Sequence, residues 1–230
     1  MADSRIADMK QKMRQLLLPS KTYVILALAL CTVVSGLAAQ EDADGERDAL
    51  ALYRDGQYER AVEVTLDEIE AMPRNMDSYT VLGWSLLALG RYEDALEYAQ
   101  RALEISRYDS RVVEIVGEAH YRLGNYVEAL RYFEEYAAIA PEGRLIDQIY
   151  FFMGEIFMEF GEFHHADIAF STAVYLGNGN ASWWNRLGQA REQAGSYRYA
   201  LEAYNRALEL DGNLTQAREA RDRVQAQLEG

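Results

Sequence analysis

Residues 78–105 read SYTVLGWSLLALGRYEDALEYAQRALEI. Tyr79, Leu82, Gly83 and Leu86 fall on one stripe at helical spacing, and Ala95, Tyr98, Ala102 and Ile105 fall on a second. Gly90 and Arg91 lie between the stripes, so the stretch predicts two amphipathic helices joined by a tight turn. Gly83 and Ala95 are small where two helices must approach closely, because a larger side chain there would hold them apart. Gly90 suits a helix end with positive φ, which other residues adopt only with strain. Tyr92 follows two residues later and can fill the gap between neighbouring helices.

The same pattern recurs along the chain. Gly with an aromatic two residues on is found at Gly56 and Tyr58, Gly90 and Tyr92, Gly124 and Tyr126, Gly161 and Phe163, and Gly195 and Tyr197, at intervals of 34, 34, 37 and 34. Seven residues upstream of the last four lie Gly83, Gly117, Gly154 and Gly188, with Ala49 at that place in the first copy. Five residues downstream of all five stand Ala61, Ala95, Ala129, Ala166 and Ala200. Agreement in three columns over five copies marks an internal repeat, each copy a helix–turn–helix. Asp77, Asp109 and Asn180 stand where helix N-caps are wanted.

The pattern resembles the tetratricopeptide repeat, most closely in 78–105 and in 182–213 (SWWNRLGQAREQAGSYRYALEAYNRALELDGN). The resemblance covers about three-quarters of the chain, in units 42–75, 76–109, 110–146, 147–180 and 181–214. It implies an all-α fold, a right-handed α-solenoid of five such repeats. Departures from the pattern are informative. The small residue expected late in the second helix is present at Ala102, Ala173 and Ala207 but is Glu68 and Tyr136 elsewhere. The first unit has Gly45 and Asp48 at usually apolar places, which predicts a weak opening helix. Three extra residues in the third unit, placed around 143–146, are expected to change the angle between units three and four. Residues 215–230 read as a capping helix with Ala217, Ala220, Val224 and Leu228 on a thin apolar stripe.

Composition narrows the function classes. In 230 residues there are 37 acidic and 23 basic ones, a formal charge of −14, which disfavours a nucleic-acid partner because phosphates are repelled. Cys31 is the single cysteine, so neither an internal disulfide nor a CxxC zinc site is available. His164 and His165 are adjacent and diverge by about 100° on a helix, which argues against a shared metal. No nucleophile elbow, Gly-rich phosphate loop or HExxH spacing is present, so the reading is of a non-enzymatic protein without cofactor or metal.

Residues 1–39 differ in kind. Arg5, Lys10, Lys12, Arg14 and Lys21 precede the uncharged stretch 23–39, YVILALALCTVVSGLAA, and Glu41, Asp42 and Asp44 follow it. Three readings stand: a cleaved signal peptide, an uncleaved membrane anchor, and lipidation at Cys31 within an imperfect Leu-Ala-Leu-Cys box. All three place the remainder, with 18 basic and 35 acidic residues, outside the cytoplasm, either periplasmic or tethered to a membrane.

The tetratricopeptide resemblance also implies a concave groove lined by the first helix of each unit, binding segments of partner proteins. Its groove-facing places fall on Asp77, Thr80, Trp84, Leu87 and Ala88 in the second unit and on Arg111, Glu114, Glu118, Tyr121 and Arg122 in the third. In the fourth they fall on Gln148, Phe151, Glu155, Met158 and Glu159, and in the fifth on Ser182, Asn185, Gln189, Glu192 and Gln193. Thr80, Trp84, Glu114 and Glu118 replace the Lys, Asn and Arg with which one family subtype clamps a terminal carboxylate. The aromatic and acidic groove suggests an apolar or basic segment of an envelope protein as partner. The competing reading is that Trp84, Tyr121 and Phe151 pack between adjacent units. The cluster Tyr150, Phe151, Phe152, Phe157, Phe160, Phe163, Trp183 and Trp184 either fills the shifted junction or forms an exposed patch. The expected function is that of an interaction module or assembly factor. A self-assembling scaffold and a carrier of an apolar ligand are the alternatives.

Overall fold

The structure, a computed structural model, describes residues 48–177 and 179–230. Residues 1–47, including the stretch 23–39 and Cys31, lie outside the described residues. Among the described residues there are eleven helices and no strands. Five inner helices alternate with five outer ones. The first pair is α1 (Ala49–Arg54) and α2 (Tyr58–Ala71), the second α3 (Met76–Ala88) and α4 (Tyr92–Ile105), and the third α5 (Ser110–Arg122) and α6 (Tyr126–Ile139). The fourth is α7 (Ile146–Glu159) and α8 (Phe163–Leu176), and the fifth α9 (Ala181–Gln193) and α10 (Tyr197–Leu210). A last helix, α11 (Thr215–Glu229), packs on α10 and α9. The whole is an α-helical solenoid.

The turn inside each pair is built the same way. Gly56, Gly90, Gly124, Gly161 and Gly195 all have positive φ, between 72° and 76°. The residue after each glycine then bonds back to the inner helix, as in Arg91 N–H to Leu86 O at 2.9 Å and Ser196 N–H to Arg191 O at 2.8 Å. This satisfies carbonyls that would otherwise be orphaned at the helix end. The second glycine column marks close approach. A Cβ on Gly117, Gly154 or Gly188 would lie 2.7, 2.6 or 2.5 Å from the ring of Phe133, Phe170 or Tyr204 on the paired outer helix, and one on Gly83 would lie 2.8 Å from Ile115 of the next unit.

Caps open most of the inner helices. Asp48, Asn75, Asp109 and Asn180 are N-caps whose side chains accept from backbone N–H groups within the first turn. The expectation for Asp77 is corrected here. Asn75 caps α3, and Asp77 sits inside its first turn, where its charge meets the positive end of the helix dipole. The opening helix α1 is short, six residues against thirteen in α3.

The three extra residues are divided between a connection and a helix. The connection from α6 to α7 has six residues, where those after α2, α4, α8 and α10 have four, and α7 has fourteen residues where α3, α5 and α9 have thirteen. Large rings cross the junctions on either side of α7. Tyr121 meets Phe152 at 4.8 Å between centroids, and Phe151 stacks on Trp183 at 4.9 Å. The core is a chain of local clusters rather than one centre, as a solenoid requires. At its end, Ala200, Tyr204 and Ala207 are sealed by Ala217, Ala220 and Val224 of α11.

Candidate partner-binding groove

The side formed by α1, α3 and α5 holds a cavity of about 740 Å³. Tyr53, Thr80, Trp84, Arg111 and Arg144 are among the side chains around it. Two further hollows, of about 430 and 320 Å³, also have Trp84, Glu114, Arg144 and Leu145 in their walls. Trp84 and Arg144 line all three, so the hollows adjoin along the inner helices and are treated as one trough.

The site is built by neighbouring elements. Helix α1 presents Tyr53, whose ring lies 5.8 Å from that of Trp84 on α3. The Trp84 indole donates to Glu114 Oε2 of α5 at 3.1 Å. Arg144 comes from the enlarged connection before α7. It is exposed and makes no ion pair among the described residues.

Glu114 is 5% exposed. Burial, reinforced by the Glu118 carboxylate beside it, raises its pKa to about 8, against the opposing bond from Trp84 and the field of Arg144. Burial thus favours the protonated form of this carboxyl. Four other acids of the groove are matched by arginines. Glu118 accepts from Arg122 at 2.8 Å, and Asp109 and Asp77 each accept from Arg111 at 2.7 Å. Those bonds raise the pKa of Arg111 and lower that of Asp109. Glu155 takes a two-pronged bond from Arg186 at 2.5 and 2.7 Å. The formal acidity read from the sequence is thus largely neutralised in place. Glu68, hydrogen-bonded by Ser78, and the capping Asp48 also line the hollow and have no arginine partner among the described residues.

The candidate residues do not form a single site. Trp84, Thr80, Asp77, Leu87, Arg111, Glu114, Glu118 and Arg122 are gathered around the trough. Thr80 lines it while nearly buried, its hydroxyl donating to Met76 O at 2.8 Å. Tyr121 is spent on ring contacts with Tyr126 and Phe152, and burial raises its pKa. Phe151 and Met158 pack at the α8–α9 core. Gln189 accepts from Arg186 at 2.5 Å, and Glu155 is held by the same arginine. Asn185 is 4% exposed, and its side-chain oxygen has no hydrogen-bond partner among the described residues. The aromatic cluster of the fourth unit mostly fills the junction, with Phe152 buried and Phe160 exposed.

Sequence reasoning missed Tyr53 and Arg144. Both lie outside the columns the repeat supplies, Tyr53 in a degenerate first helix and Arg144 in the insertion. No group of three His, Cys, Asp or Glu side chains among the described residues is placed to hold a metal ion. No helix among them is long and apolar enough to cross a membrane.

The family profiles described as tetratricopeptide repeat match residues 47–110, 109–144 and 181–214. Solved structures of MamA share the fold. One is 18% identical with a TM-score of 0.64, covering 74% of this chain and 97% of that one. A structure of MamA AMB-1 is 21% identical with a TM-score of 0.64, over 73% and 97% of the two chains. A structure of MamA MSR-1 is 21% identical with a TM-score of 0.62, over 73% and 95%. At these identities the likeness is one of fold. No curated protein sequence matches the chain.

Proposed function

The chain belongs to the tetratricopeptide repeat family, and from that premise we propose that it is a non-enzymatic binding module that holds a segment of a partner protein in the trough around Trp84. The observation that carries this reading is the adjoining hollows along α1, α3 and α5, walled by Tyr53, Trp84, Leu87 and Leu145 and bordered by Arg144, which makes no ion pair among the described residues. Aromatic side chains at a concave surface are favoured anchors for an inserted apolar group. The matched acids of the groove favour the apolar half of the sequence expectation over the basic half. The segment is therefore read as apolar, with polar flanks meeting Arg144 on one side and Glu68 on the other.

The location belongs to the same proposal. A basic leader followed by the uncharged stretch 23–39 supports export, with the repeats facing away from the cytoplasm and serving as an assembly factor for envelope proteins. The test uses the full-length protein as bait after crosslinking in the native cell, beside Arg144→Glu. Arg144 is exposed, so the variant is expected to fold. A co-purifying protein lost in Arg144→Glu supports the reading. One retained equally with both baits contradicts it.

A further inference from the structure

The outer helices share a register, and one of them departs from it. Two residues after the repeat alanine, the outward position carries Glu63 in α2, Glu97 in α4, Arg131 in α6 and Glu202 in α10, but Ile168 in α8. Six residues after that alanine stand Asp67, Arg101, Glu135 and Arg206, but Thr172 in α8. Nine residues after it stand Glu70, Glu104, Ala138 and Glu209, but Tyr175 in α8. Every α8 residue in this comparison lies on one helical face. Ile168 is 67% exposed and Tyr175 84%. No charged residue occurs between Asp167 and Arg186, in a chain of which 26% is charged.

Beside this face runs an apolar slot of about 420 Å³, with Val174 and Tyr175 of α8 and Trp184 and Leu187 of α9 in its walls. The charge at the slot is closed off internally. Arg191 donates to Asp167 at 2.8 Å and to the Ser171 hydroxyl at 3.2 Å, and its guanidinium lies over the exposed ring of Tyr199 on α10.

We propose that this face of α8 is an isologous interface at which two copies of the chain associate, the protruding Tyr175 and Ile168 of one copy seating against the slot of the other. Two observations select a second copy. First, knob and hole lie side by side in one patch, which is the self-complementarity a two-fold interface requires. Second, each copy carries a net charge of −14, and α2, α4 and α10 present a charged residue in all three columns, so two copies meeting there would have to desolvate charges. At α8 two copies meet without desolvating an unpaired charge. This contact lies on the outer row, away from the trough, and stands or falls independently of the binding reading.

The experiment uses the full-length chain with Cys31→Ser as background. A cysteine is placed at the centre of the patch, Thr172→Cys, or at the matching position of α4, Arg101→Cys. Under mild oxidation the Thr172→Cys protein is expected to give a disulfide-linked dimer and the Arg101→Cys protein to give none. Adding Ile168→Glu, a change at an exposed position, is expected to slow dimer formation on the order of tenfold or more, because the interface would bury an unpaired charge. Equal crosslinking at both positions, none at either, crosslinking of Thr172→Cys to a different protein, or insensitivity to Ile168→Glu would each overturn the proposal.

Discussion

The indole N–H of Trp84 donates to Glu114 Oε2 across 3.1 Å, tying inner helix α3 to inner helix α5 at the floor of the groove. Glu114 lies in the interior, so the bond joins a buried carboxyl to a half-buried ring. An acid that reads in the sequence as a docking charge is in the structure a buried link between repeats.

That link has a pH signature. The folded-state pKa of Glu114, about 8, exceeds its ordinary value of 4.5. Between those values the native state binds the extra proton. The contribution of this carboxyl to stability is therefore complete below about pH 4.5 and is lost as pH rises through about 8. Glu114→Gln keeps an acceptor for Trp84 but cannot ionise. It is expected to exceed the parent in stability at pH 9 by on the order of 1–3 kcal/mol, with little difference at pH 5. Urea titrations at the two pH values decide the matter, and an equal offset at both contradicts the assignment.

The two glycine columns are expected to fail for different reasons. Gly188→Ala places a methyl 2.5 Å from the fully buried Tyr204 ring, whose hydroxyl is fixed by Glu192 at 2.7 Å, and should cost about 1–3 kcal/mol. Gly195 has open space around a Cβ but a φ of 75°, so Gly195→Ala should cost about 1–2 kcal/mol through backbone strain alone. Asn tolerates that backbone region better, so Gly195→Asn should recover part of the loss while Gly188→Asn recovers none. Chemical denaturation of the four variants provides the check.

Removal of residues 215–230 should expose the inward faces of Ala200, Tyr204 and Ala207, which α11 now seals. It also frees Glu192, which burial alone would push up in pKa but which the bonds from Arg223 and Tyr204 hold below its ordinary value. The expected result is a lower-melting protein that aggregates on heating. Arg223→Ala by itself should cost under about 1 kcal/mol, because that side chain is largely exposed. Melting curves of both proteins separate the two contributions, and an unchanged melting curve for the truncation contradicts a capping role.

Much of the fold was legible because each repeat column has a direct physical cause. Gly90 and its equivalents turn the chain with positive φ, and Gly117, Gly154 and Gly188 admit a ring from the paired helix. The cap of α3 was misplaced by two residues, since Asn75 and Asp77 have equivalent side-chain chemistry and only the extended backbone of Asn75 distinguishes them. The candidate site was less legible. Its charges are cancelled by partners about one repeat away, as in Asp77 with Arg111 and Glu155 with Arg186. Opposite charges at that separation were a visible signal. Arg144 gave no such signal, because its position is set by an inserted connection that belongs to no column.

The central claim is that the concave trough, and not the outer surface, receives the partner segment. Its most direct test is a photoreactive amino acid placed at position 148, where Gln148 lines the trough, beside one at position 97 on the outer face of α4, with crosslinking of the full-length protein in the native cell. A heterologous protein adduct at 148 and none at 97 is expected. An adduct confined to 97, or of equal yield at both, would contradict it.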